Sequence, residues 1–158
     1  INEEDLIELL TDVEKTLGDD NATLFEILTC AFLKYAENFK DNINIIEAGL
    51  FHQFDSTNVF KENLMTLIGV IHNDHFQWLE NKSIDGVIHE KTAKLLNSNI
   101  FVNKQVNNEI RDKIESSLEK NTSKKYFFGK DFNIGKSENG FIQYQDQLGE
   151  LVLSLIHI

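Results

Sequence analysis

The sequence predicts a mostly α-helical single domain with a small C-terminal antiparallel β element, an α+β helical bundle. Three observations lead there. Apolar residues recur at three- and four-residue steps through most of the first 120 positions, which is the helical period. After Tyr126 the pattern becomes short apolar runs separated by Gly129, Gly135, Gly140 and Gly149. No repeat, linker or proline divides the 158 residues, so one domain over 1–158 is expected, with a helical body over about 2–120 and a β-containing part over about 124–158.

Asn2 can cap a first helix through Leu17, whose face is Leu6, Leu9, Leu10, Val13 and Leu17, and Gly18 can end it by turning left-handed. Asn21 or Thr23 starts a second helix reaching about Phe39, apolar over most of its girth. Ile43, Ile46 and Leu50 predict a short third helix ending near Gly49–Phe51. The stretch from Asp55 to Glu80 reads as the central helix, because Phe60, Leu64, Leu67, Ile68, Ile71, His75, Trp78 and Leu79 fall on one side. Ser83 is a cap for a shorter helix through Leu96. Val102, Val106, Ile110, Ile114 and Leu118 follow at strict four-residue steps, with Glu109 and Lys113 paired on the wet side for roughly 0.2–0.5 kcal/mol. Strands are expected at 126–128, 141–144 and 151–158, and a helix across Gln145–Ile156 is the competing reading of the last run.

Few residues carry a chemical signature. His72 and His75 would share a helix face and could bind one metal, although zinc sites need three or four protein ligands and no second pair is present at ligand spacing. The structural alternative makes His75 a core residue and His72 its neighbour. Cys30, in the apolar second helix, reads as a buried structural thiol. Neither GxxxxGK[ST] nor a strand-associated GxGxxG is present. Lys124-Lys125-Tyr126-Phe127-Phe128 could stack on nucleic acid, but lysines beside a strand also protect its edge. No catalytic residue, cofactor or bound metal is therefore expected.

Charge is the stronger signal. Residues 1–90 hold 18 acidic against 5 basic residues, while 91–158 hold 8 against 10, for a formal net charge of −11. A negative field of this kind repels nucleic acid and anionic membrane and attracts a basic protein, although it also serves simple solubility. The single Cys makes no internal disulfide, no apolar run is long enough to span a bilayer, and the acidic start is unlike a secretion signal; the expectation is a soluble cytoplasmic protein.

INEEDLIELLTDVE, LGDDN, YAENFKDN and the presence of a single Arg, Arg111, give a chain that resembles bacterial toxin-immunity proteins, those of contact-dependent growth inhibition above all. The resemblance implies a non-enzymatic inhibitor, monomeric or in a one-to-one complex, that binds a basic toxin domain of nuclease type. From the charge pattern, and not from the resemblance, its contacts would lie at acidic turns and helix ends: Asp19, Asp20, Asp41, Asp55, Asp74 and Asp85; Tyr35 and Trp78 could serve as anchors, although both read first as core residues. The rival expectations are a helical metal-binding protein or metalloenzyme using His72 and His75, and an acidic nucleic-acid mimic that inhibits a host defence protein.

Overall fold

A computed structural model describes residues 1–136 and 141–153. The chain forms two compact units, Ile1–Val59 and the part from Phe60 onward.

The first unit is built on two helices. In α1 (Glu3–Leu17) the Asn2 side chain accepts the Asp5 N–H at 2.8 Å, and Gly18 leaves the helix at φ +60. The α2 helix (Leu24–Ala36) begins with a reciprocal capping box between Thr23 and Glu26. Lys34 on α2 pairs with Asp12 on α1 at 2.6 Å. The third helix expected over Ile43–Phe51 does not form. Asp55 explains part of this, because its carboxylate takes the N–H groups of Gly49 (2.9 Å) and Leu50 (3.4 Å) that a helix would have used. Ile43 and Ile45 lie exposed, the latter at 89%.

The second unit overturns the helical-bundle expectation. The stretch Asp55–Glu80 is not a helix: Met65–Ile68 is a strand, β1, and Phe76–Trp78 is a single 3-10 turn. Leu67 is 68% exposed and its neighbour Ile68 only 6%, the alternation of a strand rather than the stripe of a helix. Next in the chain come α3 (Ile84–Thr92), β2 (Asn99–Val102), α4 (Asn108–Ser117) and β3 (Lys125–Phe127). The three strands form a parallel sheet in the order β1-β2-β3, with Ile68 opposite Val102 and Val102 opposite Phe127. Strands alternate with crossover helices, as in α/β proteins. Ile68, Ile100, Val102 and Phe127 are buried on the sheet; Val87 and Ile88 from α3, and Ile114 and Leu118 from α4 and its end, complete the core.

Ser83 caps α3 as expected, but the helix stops at Thr92 rather than Leu96. The four-residue stripe from Val102 is helical only from Asn108, capped by Asn107; Val102 itself belongs to β2, and Val106 is exposed. Strands β4 (Phe132–Lys136), β5 (Ile142–Asp146) and β6 (Gly149–Leu153) form an antiparallel sheet in that order. The part of the last expected strand beyond Leu153, and of its helical alternative, lies outside the described residues. Phe132 links the two sheets through ring contacts with Phe101 at 5.8 Å and Tyr144 at 6.2 Å.

Candidate functional site

Parallel strands end together, and their carboxyl ends deliver the connecting loops to one edge of the sheet. In open α/β sheets this edge is where ligands bind, because polar loop groups converge there over a rigid base. After β1 comes Gly69-Val70-Ile71-His72-Asn73-Asp74-His75; after β2, Asn103-Lys104-Gln105; after β3, Phe128-Gly129-Lys130-Asp131.

The β1 loop starts from a fixed point, since Ile71 is 1% exposed. Beyond it His72 is exposed, and His75 adopts a left-handed conformation at φ 57 with its Nε2 3.2 Å from Asp74 Oδ2. The two histidines therefore sit on a strand-end loop and not on a helix face. Among the described residues no three His, Cys, Asp or Glu groups come together as a metal cage. At the end of β3, the Asp131 carboxylate accepts the Phe127 N–H at 2.8 Å and so belongs to the turn itself.

The remaining sequence candidates fall elsewhere. Asp19, Asp20 and Asp41 are exposed in the turns that come after the two helices. Asp55 is half-buried and takes up the Thr57 N–H (3.0 Å) and hydroxyl (2.6 Å) in addition to the N–H groups of Gly49 and Leu50. Burial raises the Asp55 pKa, but the hydrogen bonds from Thr57, Leu50 and Gly49 together outweigh it and leave the carboxyl below its ordinary value. Asp85 pairs with Lys113 at 2.8 Å across α3 and α4, and Lys113 also meets Glu109 at 3.6 Å. The Tyr35 ring lies tilted against Phe39 with centroids 5.1 Å apart, and Trp78 is 69% exposed. Cys30, expected inside, is exposed. Tyr126 and Phe127 of the basic-aromatic patch are taken up by the sheet, Tyr126 stacking on Phe101 at 4.7 Å.

An open groove of about 750 Å³ runs between α3 and α4, past Asp85, His89, Lys113 and Lys120. Its charges largely neutralise one another through Asp85, Lys113 and Glu109, and it runs along the helices rather than the strand ends.

Sequence reading missed Asn103, Lys104 and Gln105. A signal was present: a β-branched and aromatic run, Ile100-Phe101-Val102, leading at once into polar residues is the pattern of a strand opening into a loop. The same holds for Leu67-Ile68-Gly69, where the glycine marks the strand's end.

Sheet and strand-end loops define an α/β protein, a class whose open sheets commonly bind ligands at the carboxyl edge. Comparison with known proteins gives that class a particular content. The chain is 47% identical over 72 residues to the dihydrofolate synthase/folylpolyglutamate synthase of Bacillus subtilis (strain 168), a match covering 45% of this chain and 16% of that enzyme. Its fold is similar to the apo form of L. casei FPGS (TM-score 0.77, 20% identity, 95% of this chain and 39% of that one). It is equally similar to E. coli FolC in complex with DHPP and ADP (TM-score 0.79, 20% identity, 99% and 37%). A bifunctional folylpolyglutamate synthase/dihydrofolate synthase from Yersinia pestis, complexed with AMPPNP and Mn ion, matches with TM-score 0.78 at 21% identity over 96% and 35%. The chain thus spans well under half the length of these proteins. No protein-family model matches it.

These similarities correct the functional expectation. The likeness is to folate-synthase enzymes and not to toxin-immunity proteins, and nothing in it points to a basic toxin partner. An acidic, asparagine-rich composition is a property that many unrelated folds share. Among the described residues no helix is long and apolar enough to cross a membrane.

Proposed function

We propose that this chain supplies part of an ATP-dependent folate ligase, a cytoplasmic enzyme of the dihydrofolate synthase/folylpolyglutamate synthase type. The 47% identity over 72 residues with the Bacillus subtilis enzyme carries the reading. Fold similarity over nearly the whole chain to FolC and FPGS structures, several of them holding ADP or ATP analogues, supports it. Ligation of this type makes an amide from a carboxylate and an amine, and ATP cleavage drives it.

Within this reading the carboxyl edge of the parallel sheet is the ligand-facing side. Lys104 places a cation among the strand-end loops, the charge that phosphate oxygens require. A magnesium or manganese ion carried on nucleotide phosphates needs only one or two protein donors. His72 and Asp74 are donors of that kind on the β1 loop, so the residues present fit a nucleotide-borne ion although they build no cage of their own. Such an ion supplies charge neutralisation on the phosphates.

A chimera tests the proposal. Residues 1–158 replace the corresponding part of the Bacillus subtilis enzyme, and ADP release is monitored with ATP, magnesium, glutamate and a folate. Folate-dependent ADP release by the soluble chimera is the expected result. A folded chimera that binds substrates yet releases no ADP counts against it.

A further inference from the structure

One side chain ties the ends of β1 and β2 together. Gln105 is only 8% exposed and uses its whole amide. Its Oε1 accepts the Ile71 N–H at 2.9 Å, and its Nε2 donates to the carbonyls of Gly69 (2.9 Å) and Asn103 (2.8 Å). The sheet ladder reaches its last backbone rung just before, where Asn103 N–H donates to the Ile68 carbonyl at 2.9 Å. Past that rung Gly69 and Ile71 turn polar backbone groups toward a strand that has already become a loop. The buried Ile71 N–H needs a partner, and the Gln105 amide provides it while also holding the Gly69 carbonyl in a part-buried bond, an added rung made from a side chain.

The consequence falls on the rest of the β1 loop. Ile71 is anchored by its buried side chain and by its N–H, and the next residues are His72, Asn73 and Asp74. We propose that Gln105 is the positioning residue of the strand-end site: it fixes the path of the chain that presents His72 and Asp74 to the ligand, without touching the ligand itself. Its place at that site rests on the ligase reading; its hold on the loop does not. Gln is required because no other side chain of this reach donates twice and accepts once while staying neutral. Asn carries the same amide one methylene short, and Glu, when ionised, only accepts.

The test uses Gln105→Leu, which removes all three bonds, and Gln105→Glu, which keeps only the acceptor for Ile71. Backbone ¹⁵N relaxation and amide exchange are measured on residues 1–158, together with the thermal midpoint. In Gln105→Leu the order parameters of His72–Asp74 should fall below about 0.6 while those around Ile114 stay near about 0.85. Gln105→Glu should fall between that variant and the wild type. In the Bacillus subtilis chimera, Gln105→Leu should lower kcat about ten- to a hundredfold well below its melting temperature, with a smaller change in KM. An ordered loop and unchanged kcat in Gln105→Leu would overturn the proposal. Should the variants fail to fold, wild-type exchange decides: an Ile71 amide protected far beyond those of residues 72–74 supports the proposal, and one exchanging as fast as they do defeats it. A wild-type chimera without folate-dependent activity removes the ligase reading, whereas the loop measurements still settle what Gln105 does.

Discussion

Asp55 has a structural task that its acidity alone does not announce. Its acidity suggested a docking contact, yet its carboxylate gathers Gly49, Leu50 and Thr57 and so shapes the loop before it. Asp55→Ala should cost about 1–3 kcal/mol, because several N–H groups lose a charged acceptor. The pH dependence has a definite sign. A carboxyl whose folded-state pKa is depressed contributes fully above the ordinary aspartate range, and that contribution is lost as pH falls through the depressed value. The stability gap between wild type and Asp55→Asn, read by denaturant unfolding, should therefore narrow steadily on acidification; a gap independent of pH would contradict this. Gly49 belongs to the same arrangement. A Cβ there would stand 2.9 Å from the Phe25 ring and 3.2 Å from the Asp55 carboxylate, so Gly49→Ala should destabilise by about 1–3 kcal/mol in the same unfolding measurement.

Elements differ in how plainly the sequence announces them. The starts of α1, α2 and α3 were legible because caps are local chemistry: Asn2, Thr23 (one of two candidates with Asn21) and Ser83 each accept an N–H three residues on, whereas the Asn107 cap of α4 was missed. Thr23→Ala should lower stability by about 1 kcal/mol, read from the shift in a urea midpoint. The parallel strands were not legible. Leu64–Ile71 is apolar at nearly every position, so it satisfies a helical stripe and a buried strand alike, and periodicity cannot separate them. The decisive partner, Asn99–Val102, lies more than thirty residues away. Residues 102–118 failed differently, since one four-residue rhythm ran from the end of a strand through a loop into α4. Within α4, Ile114 is fully buried, and Ile114→Ala should cost about 2–5 kcal/mol by thermal or urea unfolding. Gly86 sits in the first turn of α3, where an added Cβ would meet the Asn81 carbonyl oxygen at 2.1 Å. Gly86→Ala should therefore displace the start of that helix, visible as amide shift changes over residues 81–88.

At the scale of the whole molecule, net charge was the loudest signal and the least specific. A charge of −11 governs solubility and long-range fields, whereas activity resides in a few groups placed by the fold. Part of the acidity has local work, as in the first turn of α1, where Glu3, Glu4 and Asp5 meet the positive end of the helix dipole. Of the proposed site, the sequence shows the His72 and His75 pair as a pattern but not its strand-end setting, because that loop exists only once β1 has found β2. Lys104 and Gln105 stayed hidden for the same reason. The placement of the site can be tested directly in the chimera, by comparing folate-dependent ADP release for His72→Ala and for Lys120→Ala in the groove between α3 and α4. A strand-end site predicts a loss of about ten- to a hundredfold for His72→Ala and wild-type turnover for Lys120→Ala. Wild-type turnover in a folded His72→Ala chimera, or a comparable loss in Lys120→Ala, would contradict it.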